Sequence, residues 1–284
     1  MFQDKSSFSN VVIGFEHDNK YRICFGKIST EEWNEIVNKG QGVHLYKGKR
    51  TYFYNGGLPT ISVQESCKIE LIIILPGVEI IPRNTFVDFK IRKTVILSDT
   101  VRRIEEWAFA DCCTLAYIKL SRNLEFIGEF AFHCCKSLTS IFIPPSCIEI
   151  GRWAFFHCEE LIIFHVPQHT QLGRFVIGLT ALFEASPFEP EEHGNQEYHD
   201  EVNAWIKNIN NNQDYELHRA CASFNPDQNV LLAIVQQQDL SLFKKTNEIG
   251  ITPARYLSEN PFANIDQQEI IKTDIFDKMG EIFL

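Results

Sequence analysis

Cysteine and histidine side chains, which can ligate metals, recur in the middle of this chain of 284 residues. The recurring groups are Cys112-Cys113, His133-Cys134-Cys135 and His157-Cys158. Thiolates and imidazoles bind zinc, and two thiols whose backbones lie about 5 Å apart can also form a disulfide. The chain nevertheless lacks the Cys-x-x-Cys spacing that is typical of zinc sites. Because Cys is among the most buried residue types, we expect inert thiols in the core.

The recurring residues fall into two adjacent columns. The first is a ladder of cysteines 23 positions apart, Cys112, Cys135 and Cys158. The second lies one position earlier and consists of Asp111, Cys134 and His157. We expect the second column on the solvent side, where it offers at most an adventitious metal site. The sequence therefore predicts no resident metal and no cofactor.

Catalytic motifs are missing from the sequence. It contains no G-x-S-x-G, Walker loop, G-x-G-x-x-G or H-E-x-x-H. Adjacent carboxylates such as Glu105-Glu106 and Glu159-Glu160 are predicted in turns, and Glu191-Glu192 in an acidic stretch. The sequence therefore favours a protein that is not an enzyme. An enzyme or metal-binding protein with a site in the N-terminal region is the alternative.

The two columns belong to a repeat of 23 residues that fills positions 94–162. Its three copies read TVILSDTVRRIEEWAFADCCTLA, YIKLSRNLEFIGEFAFHCCKSLT and SIFIPPSCIEIGRWAFFHCEELI. Weaker copies precede them at Ile81 and Phe86, and follow them at Phe164 and Val166. A fixed period of this length predicts a solenoid, in which each unit buries its apolar side against the next. We expect about five coils.

The pattern I-G/E-x-W/F-A-F-x-x-C-x-x-L, followed by a strand, closely resembles the BspA-type leucine-rich repeat. The resemblance covers about residues 70–176. It implies a short curved α/β solenoid with a parallel sheet on one face. It also implies protein interaction more often than catalysis, and some bacterial relatives are surface adhesins.

The remainder of the chain is predicted to flank this repeat stack. We divide the chain into an N-terminal β-rich cap with one short helix (1–69), the repeats (70–183), an acidic linker (184–201) and a helical C-terminal module (202–284). The cap would cover the open end of the solenoid, where exposed strands are prone to association. An independent ligand-binding domain is the alternative for residues 1–69.

Local patterns predict the elements of the N-terminal cap. Strands are expected at Val11–Phe15 and Tyr21–Phe25, and a hairpin at His44–Tyr46 and Thr51–Tyr54. A capping box at Ser29 predicts a helix that runs through Trp33, Ile36 and Val37. These elements together make the cap a β-rich module.

The C-terminal module is expected to be helical. Apolar residues at helical spacing predict one helix face, formed by Tyr198, Val202, Trp205, Ile206 and Ile209. The segment from Tyr215 to Leu257 resembles a degenerate ankyrin unit, because Leu217-His218 and Thr252-Pro253 each match part of its T-P-L-H signature. This resemblance implies that His218 hydrogen-bonds a neighbouring loop. A further amphipathic helix is predicted at Asp266–Leu284.

The outward face of the parallel strands is unusually apolar for a solvated sheet. We predict that a protein partner binds there, at Ile73, Ile96, Tyr117, Lys119, Phe142 and His165. Alternatively, the terminal regions of the chain itself cover this face. The sequence leaves these two possibilities open.

Composition limits the classes of partner. The net charge of −10 and the pI near 5.4 argue against nucleic-acid binding, which needs a basic face. No apolar stretch is long enough to span a bilayer, and we expect neither a membrane partner nor an oligomer. With no recognisable export signal and no Asn-x-Ser/Thr sequon, the chain is predicted to be intracellular, cytoplasmic or nuclear. Export by an unrecognised route, as a surface or adhesive protein, is the alternative.

Overall fold

A computed structural model describes residues 11–17, 20–26, 40–46, 48–92, 94–189, 195–212, 216–222 and 245–260. The chain divides into two compact units. The first comprises Met1–Val11 and Lys27–Lys207, and the second comprises Val12–Gly26 and Asn208–Leu284. The domain boundaries at residues 69, 183 and 201 stay predictions.

The first unit contains the predicted repeat solenoid. One sheet has the strand order β3 (Gly42–Tyr46), β4 (Lys49–Tyr54), β5 (Leu71–Ile74), β7 (Thr94–Ile96) and β9 (Tyr117–Lys119). The predicted hairpin is present as the antiparallel pair β3–β4, and all later pairs in this sheet are parallel. Two further parallel strands form a two-stranded sheet, β11 (Ser140–Phe142) and β13 (Ile163–His165).

A second parallel sheet was not predicted. It consists of two-residue strands, β6 (Ile80–Ile81), β8 (Arg103–Ile104), β10 (Phe126–Ile127), β12 (Glu149–Ile150) and β14 (Gln171–Leu172). The isoleucines at the ends of β6, β8, β10 and β12 are fully buried. The sequence predicts these isoleucines only as core residues, because two residues are too few to show strand alternation. Each coil therefore contributes to two sheets.

Stacked aromatic rings fill the space between the sheets. Phe109 and Phe132 have ring centroids 5.3 Å apart at 2°, and Phe132 and Phe155 have centroids 5.0 Å apart at 5°. Phe86 extends the stack by one coil. All four rings are fully buried. The repeated Phe thus forms a continuous apolar core along the solenoid.

Backbone hydrogen bonds hold the turns of consecutive coils together. Trp107 N donates to Glu129 O at 3.1 Å, and Asp111 N donates to His133 O at 2.8 Å. These turns place Trp107 and Asp111 in the left-handed region, with φ of 58° and 60°. The equivalent residues of the next coils repeat this conformation. The register of the stack therefore stabilises a backbone conformation that these side chains would otherwise disfavour.

Close stacking also explains a glycine of the repeat. A Cβ atom on Gly128 would lie 2.6 Å from Glu106 N, and one on Gly151 would lie 2.6 Å from Glu129 N. No side chain fits at that separation from backbone. The position after the core Ile is therefore confined to Gly in these two coils.

Among the described residues, the first unit also contains α1 (Val63–Ser66), α2 (Ala181–Glu184) and most of α3 (Gln196–Asn211), which continues beyond Lys207 into the second unit. The predicted helix face is confirmed in α3, where Val202, Ile206 and Ile209 are buried. Asn203 Nδ2 donates to Leu172 O at 3.1 Å, so α3 packs on the last coil. The helix begins at Gln196, inside the stretch 184–201 that was expected to be a linker. Asn195 Oδ1 caps it by accepting from Tyr198 N.

The described part of the second unit includes the two expected strands, β1 (Val11–His17) and β2 (Lys20–Gly26), which pair with each other. It also contains the helices α4 (Glu216–Ala222) and α5 (Pro253–Glu259). His218 Nε2 lies 3.0 Å from Ile251 O, which is the predicted hydrogen bond to a neighbouring loop. Thr252 caps α5 by accepting from Arg255 N at 3.2 Å.

Two predicted helices, at Ser29–Val37 and Asp266–Leu284, lie outside the described residues.

Candidate partner-binding sheet face

Strand alternation and parallel register gather the predicted binding residues on one side of the repeat strands, which we call the sheet face. Ile73 pairs with Ile96, and Ile96 pairs with Lys119. In the two-stranded sheet, Phe142 pairs with His165. Successive coils therefore align these side chains in columns, and the column residues differ from coil to coil.

Two further members of the sheet face escaped sequence analysis. Thr51 pairs with Leu71, and Phe53 pairs with Ile73, because β4 adds to the repeat sheet in parallel. His44 and Tyr46 on β3 lie against the Phe53 ring, at centroid distances of 5.7 and 6.1 Å. In the sequence, the only sign that β4 extends the sheet face is the alternation of side chains within Thr51–Tyr54.

Most of the sheet face is buried within the chain itself. Ile73 and Ile96 are each 1% exposed, Phe142 is 2% exposed and Lys119 is 7% exposed. Tyr117 and His165 are half-buried. Tyr117 and His165 are therefore the two predicted contacts that keep substantial exposed surface. Whether any of the six binds a partner stays a prediction.

Burial of Lys119 has an electrostatic consequence. Loss of hydration lowers the pKa of Lys119 to about 8, although the Asp99 carboxylate acts in the opposite direction. Arg122 lowers the pKa further by charge repulsion. A charged ammonium group is thus costly at this point of the sheet face.

The cysteine ladder is buried as expected. Cys112, Cys135 and Cys158 have no exposed surface. The three Sγ atoms donate to the carbonyl oxygens of Phe86, Phe109 and Phe132, at 3.1, 3.2 and 3.1 Å. Desolvation raises the pKa of Cys112 and of Cys135 well above the usual value. These thiols therefore support the fold and are poor nucleophiles.

The turn carboxylates Glu105 and Glu106 form surface ion pairs. Glu105 accepts from Arg103 Nε at 2.8 Å, and Glu106 lies 3.2 Å from Arg83 Nη2. Each of these two carboxylates has a cationic partner on the repeat surface, and Glu159 lies 2.7 Å from Lys136 Nζ. This arrangement explains their presence without acid–base chemistry.

None of the described helices combines the length and the apolar character needed to cross a membrane.

Comparison with known families identifies the repeat. Residues 60–176 match the BspA type leucine rich repeat region in six copies. The match does not extend to the C-terminal segment, so the ankyrin resemblance stays a prediction. A search of curated proteins finds no match to this chain.

Solved structures that resemble the chain include three leucine-rich repeat proteins. The T. pallidum leucine rich repeat protein is 25% identical over 49% of this chain and 64% of its own, with a TM-score of 0.38. A protein from Bacteroides ovatus ATCC 8483 is 28% identical over 39% and 29%, with a TM-score of 0.34. A leucine rich cell surface protein from Faecalibacterium prausnitzii A2-165 is 25% identical over 45% and 32%, with a TM-score of 0.35. This chain spans less than two thirds of each.

Proposed function

We propose that this chain, in which residues 60–176 are a BspA-type leucine-rich repeat region, is a non-enzymatic protein-interaction scaffold. Leucine-rich repeats generally mediate protein–protein interaction, because stacked coils offer an extended preformed surface. One observation carries the proposal. The residues that repeat in every coil pack between coils, whereas the variation from coil to coil lies in the strand and turn columns.

The sheet face is the proposed partner surface. Its six predicted contacts are Ile73, Ile96, Tyr117, Lys119, Phe142 and His165. Aliphatic and aromatic groups suit an apolar partner segment, and aromatic residues are favoured anchors of interfaces. Because four of these side chains are buried, binding starts at Tyr117 and His165 and requires an open conformation of the face. The apparent affinity then falls in proportion to the open fraction.

Site-specific photo-crosslinking in cells tests the proposal. A photoreactive phenylalanine analogue is placed at Tyr117, at His165 or, as a control, at Ile148, an apolar residue that is 60% exposed beside the second sheet. We expect positions 117 and 165 to crosslink to the same protein and position 148 not to do so. Tyr117→Ser should reduce the crosslink from position 165 while the purified chain stays folded, which its cooperative thermal unfolding shows. Equal crosslinking from all three positions, or from none, contradicts the proposal.

We further propose that the scaffold acts as a monomer inside the cell, in the cytoplasm or nucleus, without nucleic acid or membrane partners. All cysteines whose side chains are described are free thiols, which supports a reducing compartment. Imaging of a tagged chain tests the location, and sedimentation tests the oligomeric state.

A further inference from the structure

A cluster of three metal-ligating side chains lies on the turns of consecutive coils. Asp111, His133 and Cys134 each bring one ligand atom to within 4.8 Å of the others. In the next coil, His157 Nδ1 lies 3.4 Å from Cys134 Sγ. His133 Nε2 lies 3.9 Å from the same sulfur. Asp111, His133 and His157 thus approach Cys134 from three coils, with His157 outside the group whose ligand atoms all lie within 4.8 Å of one another.

These separations suit tetrahedral coordination. Zinc bound by a thiolate at about 2.3 Å and an imidazole at about 2.0–2.1 Å leaves sulfur and nitrogen about 3.6 Å apart. The two sulfur–nitrogen distances at Cys134 lie on either side of this value. Asp111, His133 and Cys134 are the mutually close group, so closure around an ion also requires the His157 ring to turn towards Asp111 and His133.

The His157 ring is already oriented as a ligand. Its Nε2 lies 3.0 Å from Glu159 Oε1, and this contact leaves Nδ1 towards Cys134. Metal-binding histidines characteristically donate their second nitrogen to a carboxylate, which fixes the ring and its tautomer. Glu159 is itself held by Lys136 Nζ at 2.7 Å. This carboxylate–histidine pair is an observation independent of the cluster.

Packing orients the His133 ring. It stacks on Phe156 with centroids 6.0 Å apart at 8°, and it lies 5.7 Å from the rings of Trp107 and Phe130. Its Nδ1 is buried without a hydrogen-bond partner, and Cys134 Sγ is the polar contact of its other nitrogen among the described residues. The ring is therefore placed by aromatic contacts and remains available to a ligand.

We propose that Asp111, His133, Cys134 and His157 form a binding site for a divalent cation of the zinc type. Mixed sulfur, nitrogen and oxygen donors favour zinc over magnesium or calcium, which prefer oxygen alone. The Asp111 carboxylate and the Cys134 thiolate balance the charge of the ion. The Cys134 thiol would release its proton to solvent as the metal–sulfur bond forms. The ion would join three consecutive coils, whether or not the sheet face binds a partner.

Metal titration of the full chain tests this site. The chain is stripped with a chelator, and zinc is added while binding is followed by calorimetry. We expect one ion per chain and a higher unfolding temperature. Cys134→Ser should weaken binding by about 100-fold or more, since even the loss of a second-shell partner costs about 10–100-fold. Glu159→Gln removes such a second-shell partner, so it should weaken zinc binding by about 10–100-fold. Cys67→Ser, which removes an exposed thiol outside the cluster, should leave the affinity unchanged.

Spectroscopy keeps the test decisive if a variant folds poorly. Cobalt in the unaltered chain should produce a thiolate-to-metal charge-transfer band, and zinc X-ray absorption should detect a single sulfur with nitrogen and oxygen neighbours. Unchanged zinc affinity in Cys134→Ser would overturn the proposal. So would equal weakening in Cys67→Ser, or a first shell without sulfur.

Discussion

Cys134 and Cys135 are neighbours in sequence but belong to different columns of the solenoid. Cys135 has no exposed surface, and its thiol donates to a backbone carbonyl of the previous coil. Cys134 is half-buried, adopts a left-handed φ of 56° and faces His157. The ladder keeps one residue type in three coils, whereas the turn column changes from Asp to Cys to His. Position within the coil therefore decides whether a cysteine supports packing or is available for chemistry.

The sheet face is variable like the turn column and buried like the cysteine ladder. Ile96, Lys119 and Phe142 differ from coil to coil, as in the turn column, yet they are buried, as in the ladder. Repetition and burial are thus separate properties of a position. A repeated residue indicates packing between coils, whereas burial by itself does not require one residue type in every coil.

The largest expected effect comes from the interior column. Phe132→Ala removes a fully buried ring from the stack with Phe109 and Phe155, and it should lower the free energy of unfolding by about 3–5 kcal/mol. Phe126→Ala, at a half-buried ring on the second sheet, serves as the matched control and should cost less. Chemical denaturation measures both. Equal losses would show that the interior and surface columns do not differ as described.

Lys119 tests the cost of a charge on the buried sheet face. Unfolded Lys119 holds its proton up to a pKa of 10.5, whereas folded Lys119 loses it near pH 8. Between these values the unfolded state binds more protons, so stability rises with pH. Lys119→Met removes this dependence and should be more stable by about 3 kcal/mol at pH 7, by conversion of the pKa difference.

The measurement for Lys119 is the difference in unfolding free energy between Lys119→Met and the unaltered chain from pH 7 to pH 10. The advantage of the variant should shrink as pH rises above 8. A difference that stays constant across this range would mean that Lys119 is not desolvated in the folded chain.

The smallest effect compares the adjacent cysteines directly. Cys135→Ala removes a buried hydrogen bond to Phe109 O and should cost about 1–2 kcal/mol. Cys134→Ala should change stability by less than about 0.5 kcal/mol, as expected for a position outside the core. Both variants are denatured in the presence of a chelator, so that metal binding does not contribute. If Cys134→Ala lowered the free energy of unfolding more than Cys135→Ala, then Cys134 rather than Cys135 would be the packing residue.

Sequence periodicity was sufficient to predict the repeat coils, because Ile, Phe, Cys and Leu recur at one spacing. It could not show the second sheet, since strands such as Arg103–Ile104 are too short to alternate. Nor could it show the burial of Ile96 and Phe142, because an apolar pattern does not reveal what lies on it. The cluster at Cys134 depended on side-chain orientation, namely the stacking of His133 and the contact between His157 and Glu159.

The close approach at Gly128 also makes the coils non-interchangeable. The coil at residues 94–116 carries Glu105 where the following coils carry Gly128 and Gly151. Copying that coil one place along the chain would set a side chain 2.6 Å from a backbone nitrogen. The array can therefore lengthen by duplication of its glycine-bearing coils, whereas a duplicate of the 94–116 coil inserted behind them would force neighbouring strands apart.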